Sequence, residues 1–381
     1  MNRIYLDHAA TSPVHPQVIK KLMETMEHTY GNPSSIHATG REARKQLDVA
    51  RERLAKSIGA KDQDIIVTSG GTEADNLAIF GTAYARKKEG SHIITSQIEH
   101  HAVLTACEKL EKDGYEVTYL PVNEQGRVSV EAVKQALRDD TILVTIMLGN
   151  NEVGTIQPIQ EIGELLKAHK ATFHTDAVQA YGLLQISVDE LQVDLLSVSS
   201  HKINGPKGIG YLYQRKGTKL SPQFWGGQQE RKRRAGTENV PGILAFAEAV
   251  SIAQQTMEEK RDLYSQFKKE MVSIWEQADI DFKLNGEIQF TLPHILNVSF
   301  AGTDVESLLV NLDMAGISVS SGSACTAGSI NPSHVLVAMY GENASELRNS
   351  IRFSFGYGVT VEEVKEAATL TAKVVKRLVK V

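Results

Sequence analysis

The sequence predicts an α/β fold, in which a large domain built on a mostly parallel β-sheet is followed by a smaller α+β domain. Short apolar segments alternate with helical patterns from about residue 47 to residue 213. After Pro241 the pattern changes to one long helical stretch and then a mixture of strands and helices. The 381 residues are 41% hydrophobic and 23% charged, which is typical of a soluble chain with a large core and about two or three domains.

The strands of the large domain are continuous apolar runs rather than alternating ones, which indicates that both faces of the sheet are covered by helices. Ligands of such sheets bind beyond the carboxyl ends of the strands, so polar residues that follow a strand are the candidates for a site. The predicted strands are "DIIVTS", "HIITS", "EVTYLPV", "TILVTIML", "TFHTDAV", "DLLSVSS" and "GIGYLYQR". The predicted helices are "LDVARERLAKSIG", "TEADNLAIFGTAYARKKEG", "HAVLTACEKLEKDG", "SVEAVKQALRDD" and "IQEIGELLKAHK".

The second part of the chain begins with "ILAFAEAVSIAQQTMEEKRDLYSQFKKEMVSIWEQA", which predicts a single long helix at the domain boundary. The segments "HILNVSF", "DVESLLVNLDMAG", "ISVSSG", "IRFSF" and "TVEEVKEAATLTAKVVKRLVKV" follow it. We therefore predict a large domain over 15–255 and a small domain formed by 1–14 and 256–381.

Composition narrows the class of function. The formal net charge of −5 disfavours direct binding to nucleic acid or acidic membranes. The sequence has no apolar run of the roughly 18 residues that a membrane span needs, and its start, "MNRIYLDHAATSPVHP", does not resemble a signal peptide. Two distant cysteines, Cys107 and Cys325, fit a reducing compartment, and we expect Cys107 to be a core residue of a helix. We expect a cytoplasmic protein without a metal site.

Lys202 lies in "SSHKINGPKGIGYLY", between two predicted core strands. Lysine is rarely buried without a partner. An ion pair with Asp176, which ends the strand of "TFHTDAV", is the ordinary explanation. The alternative is a lysine that forms a Schiff base, with a carboxylate that holds a protonated ring nitrogen. With a helix N-terminus for phosphate, this is the set of groups that pyridoxal 5′-phosphate requires.

Other strand ends carry weaker signals. Gly71 and Thr72 of "GGTEADN" open a predicted helix that suits a phosphate, although an N-capped helix after a tight turn gives the same pattern. His100 or His101 of "QIEHHAVL" could face the same crevice, although a single histidine is more often structural or exposed. The asparagines of "GNNEVGTIQP" could bind a ligand or only shape a turn.

Together these motifs resemble the cysteine desulfurases of the NifS/IscS type, in the class-V aminotransferase family of fold-type-I pyridoxal-phosphate enzymes. The resemblance implies a large domain with a mostly parallel seven-stranded sheet and a smaller α+β domain. "SSGSACT" resembles the first of the two desulfurase groups, which has a long catalytic loop. The matching motifs, in chain order, are "IYLDHAATSP", "YGNPSSIH", "TSGGTEADN", "EHHAVL", "NNEVGTIQP", "HTDAVQ", "SSHKINGPKGIG", "RAGTEN", "SSGSACTAGS" and "IRFSFG".

The resemblance implies roles at the cofactor. Lys202 would anchor it, Asp176 would pair with its pyridine nitrogen, Gln179 would bind its ring hydroxyl, and His100 would stack on the ring and move protons. Thr237 of "RAGTEN" would reach the phosphate bound by a second subunit, which implies a homodimer with shared sites. The other residues implied to bind the cofactor are Gly71, Thr72, Ser199 and His201 at the phosphate, together with Asn151.

The resemblance also implies the reaction, removal of sulfur from L-cysteine to leave L-alanine. Arg352 would hold the substrate carboxylate as a bidentate fork, together with Asn151 and Asn32. Cys325 would be the nucleophile that becomes a persulfide, with His100 as the group that helps to form its thiolate. Without the resemblance, Cys325 is a small residue in a glycine-rich turn.

Several alternatives stay open. The persulfide would pass to an acceptor, and a tRNA 2-thiouridylase and an iron–sulfur scaffold protein are equally good hypotheses. Relatives that feed scaffold proteins often extend further beyond the last helix than Val381. The basic run Arg231–Arg234 is either a solvated face or a docking point for an acidic acceptor.

Other functions remain possible. A selenocysteine lyase or an aminotransferase acting on small amino acids could share the scaffold, but an aminotransferase has no need of the Cys325 thiol. A non-catalytic assembly platform has no reason to keep Lys202, Asp176, His100 and Cys325 together.

Overall fold

The computed structural model of the chain describes residues 3–321, 325–326, 329–330 and 332–379. The strands are β1 (Ile4–Tyr5), β2 (Ile65–Thr68), β3 (His92–Ser96), β4 (Glu116–Leu120), β5 (Thr141–Thr145), β6 (Thr172–Asp176), β7 (Leu195–Ser199), β8 (Gly210–Gln214), β9 (Phe282–Leu284), β10 (Ile295–Phe300), β11 (Ile317–Ser318), β12 (Cys325–Thr326), β13 (Ser329–Ile330) and β14 (Ser350–Ser354). The helices are α1 (Pro16–His28), α2 (Ala38–Lys56), α3 (Gly71–Arg86), α4 (His101–Lys112), α5 (Val130–Ala136), α6 (Ile159–Leu166), α7 (Gln229–Lys232), α8 (Val240–Gln255), α9 (Met257–Gln277), α10 (Val305–Met314), α11 (His334–Tyr340) and α12 (Val361–Val379).

Seven strands form the central sheet in the order β2-β8-β7-β6-β5-β3-β4. The five neighbouring strands from β7 to β4 are parallel to one another. Strand β8 is antiparallel to both of its neighbours, β7 and β2. The predicted α/β class with a mostly parallel seven-stranded sheet is therefore confirmed.

Helices cover both faces of this sheet because successive side chains of a strand point to opposite sides. On one side, Ile93 packs in a cluster with Val103 of α4. On the other side, its neighbour Ile94 belongs to a larger cluster with Leu47 of α2 and Phe246 of α8. Complete burial of β3 explains the continuous apolar run in its sequence.

A second hydrophobic cluster surrounds Trp275 on α9, whose side chain is fully buried. The Trp275 ring packs edge-on against Phe300, and its Nε1 donates a 3.0 Å hydrogen bond to the carbonyl oxygen of Ala368. This cluster lies against a three-stranded sheet in the order β14-β10-β9. A mixed α+β unit therefore follows the large sheet.

The prediction of one long helix after Pro241 is wrong, because the pattern contains two helices, α8 and α9. They are separated at Thr256, where φ is −109° and ψ is 9°. The Thr256 hydroxyl donates 2.8 Å to the carbonyl oxygen of Ile252 and ends α8. Residues of α8 pack in the cluster on the large sheet and those of α9 in the cluster around Trp275, so the chain turns between two cores.

The first residues of the chain connect the two units. Strand β1 pairs in parallel with β11 in the second unit. A few residues later, the Ser12 hydroxyl donates 2.6 Å to the carbonyl oxygen of His201 in the large unit. Residues 7–12 therefore run between the units, next to Lys202.

Two further observations concern the sequence predictions. Cys107 is fully buried in α4, which confirms the predicted core position. Across the described ranges, no helix combines the length and apolar character that a membrane span requires.

Candidate active site

A cavity of about 430 Å³ opens at the carboxyl ends of β5, β6 and β7, at the edge where the sequence predicts a site. The N-termini of α3 and α4 face it, and residues 9–10 and Arg352 line it from the second unit. The predicted site residues that line it are Gly71, Thr72, His100, Asn151, Asp176, Gln179, Ser199, His201, Lys202 and Arg352.

Lys202 lies in a turn of 3₁₀-helix that directly follows β7. The turn ends at Asn204, which adopts a left-handed conformation with φ of 64°. The Lys202 Nζ donates hydrogen bonds to the carbonyl oxygens of Ala9 and Ala10, the latter at 2.8 Å. Burial, and secondarily the nearby Arg352, lowers the pKa of Lys202 to about 8, so its neutral, nucleophilic form is readily populated.

Asp176 ends β6 and is only 6% exposed. Its Oδ1 accepts a 2.8 Å hydrogen bond from the backbone N–H of Val178. Burial raises the pKa of Asp176 to about 6, although Lys202 and the Val178 hydrogen bond act in the opposite direction. Within the described part of the chain, no ion pair of 4 Å or less joins Lys202 and Asp176, and the amine binds backbone carbonyl oxygens instead.

The start of α3 suits a phosphate group. A Cβ at Gly71 would lie 2.9 Å from Cγ2 of Val178, so only glycine lets the backbone sit this close to β6. The N–H groups of the first helical turn have no partner within the helix, and they face the same cavity as Ser199 and His201. Burial lowers the pKa of His201 to about 4, and its Nδ1 lies 3.2 Å from the Thr11 hydroxyl.

His100 is the N-cap residue of α4. Its Nδ1 accepts a 3.1 Å hydrogen bond from the backbone N–H of Ala102, so the proton of the neutral ring lies on Nε2. Burial, with Lys202 as the next cause, lowers the pKa of His100 to about 4. The cap therefore fixes a neutral tautomer that presents a donor, and acceptance of a proton from Cys325 would require His100 to give up this cap.

Arg352 is buried on β14 at 4% exposure. Its Nη1 donates 2.8 Å to the backbone oxygen of Asn151, and its Nη2 donates 2.8 Å to Oδ1 of Asp7. The Nε is buried and has no hydrogen-bond partner among the described residues. The guanidinium is thus held from two sides, with donor capacity left for a carboxylate.

Two of the predicted residues, Asn32 and Thr237, do not line this cavity. Asn32 is exposed, and its Oδ1 accepts a 2.9 Å hydrogen bond from the N–H of Ser34 within its own loop. Thr237 is also exposed. For Cys325 the structure describes only backbone pairing with Ile330, and its side chain lies outside the described residues.

Other side chains line the cavity besides the predicted site residues. Asp75 is 1% exposed, and burial together with the nearby Asp176 raises its pKa well above the ordinary value. His101 and His334 stand side by side with ring centroids 4.8 Å apart, and Nε2 of His334 donates 2.9 Å to the backbone oxygen of Glu99. The available signal was a polar residue next to an apolar strand, as in "GGTEADN" and "QIEHHAVL", but it does not distinguish a lining residue from a supporting one.

Comparisons with known proteins agree with this geometry. The family model for the class-V aminotransferases matches residues 4–366. The chain is 62% identical over 378 residues to the "putative cysteine desulfurase IscS 1" of Bacillus subtilis (strain 168), covering 99% of this chain and 100% of that protein. A solved "NifS-like protein" superposes with a TM-score of 0.91 at 35% identity over 100% of both chains. "SspA in complex with cysteine" superposes with a TM-score of 0.81 at 37% identity, covering 92% of this chain and 98% of the other.

The chain therefore belongs to the class-V aminotransferase family and has the α/β architecture of fold-type-I pyridoxal-phosphate enzymes. Within that family it belongs to the cysteine desulfurases of the IscS/NifS type.

Enzymes of this family use pyridoxal 5′-phosphate, and the residues present fit that cofactor. Asp176 is a buried carboxylate facing the cavity without a cationic partner among the described residues, which a protonated ring nitrogen would supply. The lowered pKa of Lys202, to about 8, suits an amine that must react with an aldehyde. The close approach at Gly71 leaves backbone N–H groups for the phosphate.

In cofactor-free protein we expect competitive amine labelling of Lys202 to reach its midpoint near pH 8, because burial lowers the pKa to about 8. This midpoint lies about two units below the value of about 10.4 for a lysine side chain in water. Peptide mass spectrometry across a pH series measures it. Asp176→Asn should move the midpoint lower still, since the Asp176 carboxylate favours the charged amine. A midpoint near pH 10 in the unsubstituted protein would contradict the effect of burial.

Proposed function

We propose that this chain removes sulfur from L-cysteine with pyridoxal 5′-phosphate, leaving L-alanine and a persulfide on Cys325. The observation that carries the proposal is the convergence of Lys202, Asp176 and Arg352 on one cavity. The cysteine desulfurase name of the 62% identical relative favours this reaction over that of a selenocysteine lyase or an aminotransferase.

The cofactor, when bound, supplies an electron-withdrawing ring that weakens the bonds at the substrate α-carbon. Asp176 would hold its ring nitrogen, Lys202 would anchor it, and Gln179 would bind its ring oxygen. His100 borders the cavity from the start of α4 and would stack on the ring. The phosphate would lie against Gly71, Thr72, Ser199 and His201, and Asn151 also borders the site.

Arg352 would hold the substrate carboxylate through the N–H groups of Nη1 and Nη2 that Asn151 and Asp7 leave free. Asp7 and the backbone oxygen of Asn151 keep the guanidinium in place for this contact. Lys202, with its pKa near 8, is the group suited to take and return the α-proton. His100 is neutral and presents an N–H from Nε2, which suits it to donate a hydrogen bond within the cavity.

Cys325 would carry the sulfur. Its thiolate attacks the sulfur of the substrate, so a sulfur–sulfur bond forms while the substrate's carbon–sulfur bond breaks. The electron pair of the broken bond stays with the carbon skeleton, which takes up a proton as alanine forms. A free thiol with a pKa of about 8.5 is partly ionised near neutral pH, so modest assistance is enough to form the thiolate.

Cys325→Ala should lower alanine release from L-cysteine by roughly 10³-fold or more, because the sulfur acceptor is lost. Amino-acid analysis of the product and mass spectrometry of the Cys325 peptide, which should carry one extra sulfur atom, measure the effect. Cys107→Ala is the matched control and should keep the activity, since Cys107 is a fully buried core residue of α4. Unchanged alanine release by the Cys325→Ala protein would exclude this mechanism.

We also propose that two copies of the chain share their sites, with Thr237 and Asn32 completing the site of the partner. Both residues are exposed and lie outside the cavity of their own chain. Large apolar side chains nearby in sequence are exposed as well: Ile36 at 90%, Trp225 at 85% and Tyr30 at 80%. Exposure of such side chains in a soluble chain favours an interface.

Trp225→Glu should weaken association of the two copies about 100-fold or more, because an aromatic side chain that the proposed interface would bury is replaced by a charged one. Sedimentation velocity at several protein concentrations measures the dissociation constant. Met314→Glu, at a side chain that is 77% exposed at the end of α10, is the control and should leave association unchanged. An unsubstituted protein that sediments as a monomer at all concentrations would contradict shared sites.

The persulfide would be passed to an acceptor protein, either a tRNA 2-thiouridylase or an iron–sulfur scaffold, in the cytoplasm. The predicted basic run has two different halves. Arg234 donates 2.8 Å to Glu73, and Arg233 donates 2.9 Å to the backbone oxygen of Gln63. Arg231 and Lys232 are exposed, so only they could meet an acidic acceptor.

Sulfur-35 loaded on the enzyme from labelled cysteine should move to the true acceptor and not to the other candidate. If the exposed basic pair docks that acceptor, a protein with both Arg231→Ala and Lys232→Ala should transfer label several-fold more slowly at unchanged alanine release, since rim charges act on the rate of encounter. Lys373→Ala, at an exposed lysine of α12, is the control. Equal transfer by the double variant would assign the pair to a solvated face.

We also propose that the chain divides into a large domain, 15–255, and a small domain, 1–14 with 256–381. The separate hydrophobic clusters around the central sheet and around Trp275 support it.

A further inference from the structure

A buried histidine, His294, lies behind Lys202 and is not one of the residues that line the active-site cavity. It is 6% exposed and directly precedes β10. With His8, Lys202 and Tyr264, it borders a second cavity of about 30 Å³. Lys202 borders both cavities, whereas His294 borders only the second.

The orientation of the Gln179 amide follows from its surroundings. The amide nitrogen of Gln179 lies 2.9 Å from the carbonyl oxygen of Ala9, which can only accept a hydrogen bond. The NH₂ group of the amide must therefore face Ala9. The amide oxygen then faces Nε2 of His294 at 3.1 Å, and because this oxygen can only accept, Nε2 must carry the proton.

His294 is neutral in this arrangement. Burial, followed by the nearby Lys268 and Lys202, holds its pKa well below the ordinary value. With the proton on Nε2, Nδ1 carries a lone pair, and it is buried without a partner among the described residues, as is Nδ1 of His8. The cavity that both rings border has about the volume of one water molecule, which could donate to these nitrogens.

These two contacts determine which hydrogen-bonding group of Gln179 is left for a ligand. Its oxygen accepts from His294 and one of its two N–H groups binds Ala9. One N–H remains for the active-site cavity, which Gln179 also borders. A flipped amide would present an oxygen to the cavity and would place that oxygen against the carbonyl oxygen of Ala9, so that two acceptors would face each other without a proton between them.

We propose that His294 is a positioning residue, which donates from Nε2 to Gln179 and so fixes Gln179 as a hydrogen-bond donor to the ring oxygen of the cofactor. The inference rests on the proposed function only for the identity of that cofactor. It predicts that His294 and Gln179 contribute to cofactor binding as one unit.

A double-mutant cycle on the affinity of the cofactor-free protein for pyridoxal 5′-phosphate tests this. His294→Leu should weaken binding about five- to tenfold, the effect of one hydrogen bond. The protein with both His294→Leu and Gln179→Leu should bind no more weakly than Gln179→Leu alone. The proposal would be overturned if the double variant lost cofactor affinity by the product of the two single losses, or if His294→Leu bound the cofactor with full affinity.

A conservative pair keeps the test valid if His294→Leu does not fold. His294→Gln places an amide N–H near the position of Nε2 and should retain most of the affinity. His294→Asn is too short to reach Gln179 and should lose as much as His294→Leu. Equal affinities for the glutamine and asparagine variants would contradict positioning through Nε2.

Nitrogen-15 NMR of histidine-labelled, cofactor-free protein gives a readout that needs neither cofactor nor turnover. The signals lost in His294→Gln identify the ring, which should be protonated at Nε2 and unprotonated at Nδ1 from pH 6 to 9. The opposite tautomer would overturn the inference. Cofactor binding and the expected tautomer in a protein that releases no alanine would instead count against the proposed desulfurase reaction alone.

Discussion

The carbonyl oxygen of Ala9 accepts hydrogen bonds from both Lys202 and Gln179, and the arrangement of the site depends on this shared acceptor. It gives a buried amine a neutral partner in place of a carboxylate, which is compatible with a pKa near 8. A direct pair with Asp176 would favour the charged amine and would also occupy the carboxylate. Because the two groups are held apart, each keeps its capacity for a ligand.

Burial of several ionisable groups at one edge of the sheet is tolerated because most of them are neutral or hydrogen-bonded to the backbone. Burial lowers the pKa of His100 to about 4 and raises that of Glu99 to about 8. Both carboxylate oxygens of Glu99 accept from the N–H of Met147 at 3.0 Å. Arg352 and Asp7 form an ion pair at the same edge, on the side proposed for the substrate carboxylate.

Much of the fold could be predicted from the sequence because continuous apolar runs indicate buried strands, and apolar positions at helical spacing indicate helices. The residues at strand ends, such as Asp176 and Lys202, could be predicted because parallel strands bring their carboxyl ends together. The break at Thr256 could not, since the helical pattern continues through it and the turn arises from packing on two cores. The resemblance supplied roles that no local pattern carries, and those proposed for Thr237 and Asn32 would depend on a second chain.

The role of His294 could not be predicted from the sequence either. It directly precedes a strand of the second unit, 115 positions from Gln179, and no spacing rule connects the two. Its role depends on two contacts in succession, from Ala9 to Gln179 and from Gln179 to His294, the first of which fixes the direction of the second. Such a series of hydrogen bonds can be recognised only when the position of the backbone at its start, here the carbonyl of Ala9, is known.

Asp7 and Arg352 are separated by 345 positions, and Ala9 and Lys202 by 193. Ribosomes make the first of these residues long before the last. A nascent chain that has already formed the large sheet still lacks the arginine that binds Asp7 and the final strand that anchors the first segment. Asp7 has no arginine to bind until Arg352 and strand β14 have been made, so the site is completed only after synthesis has passed this strand.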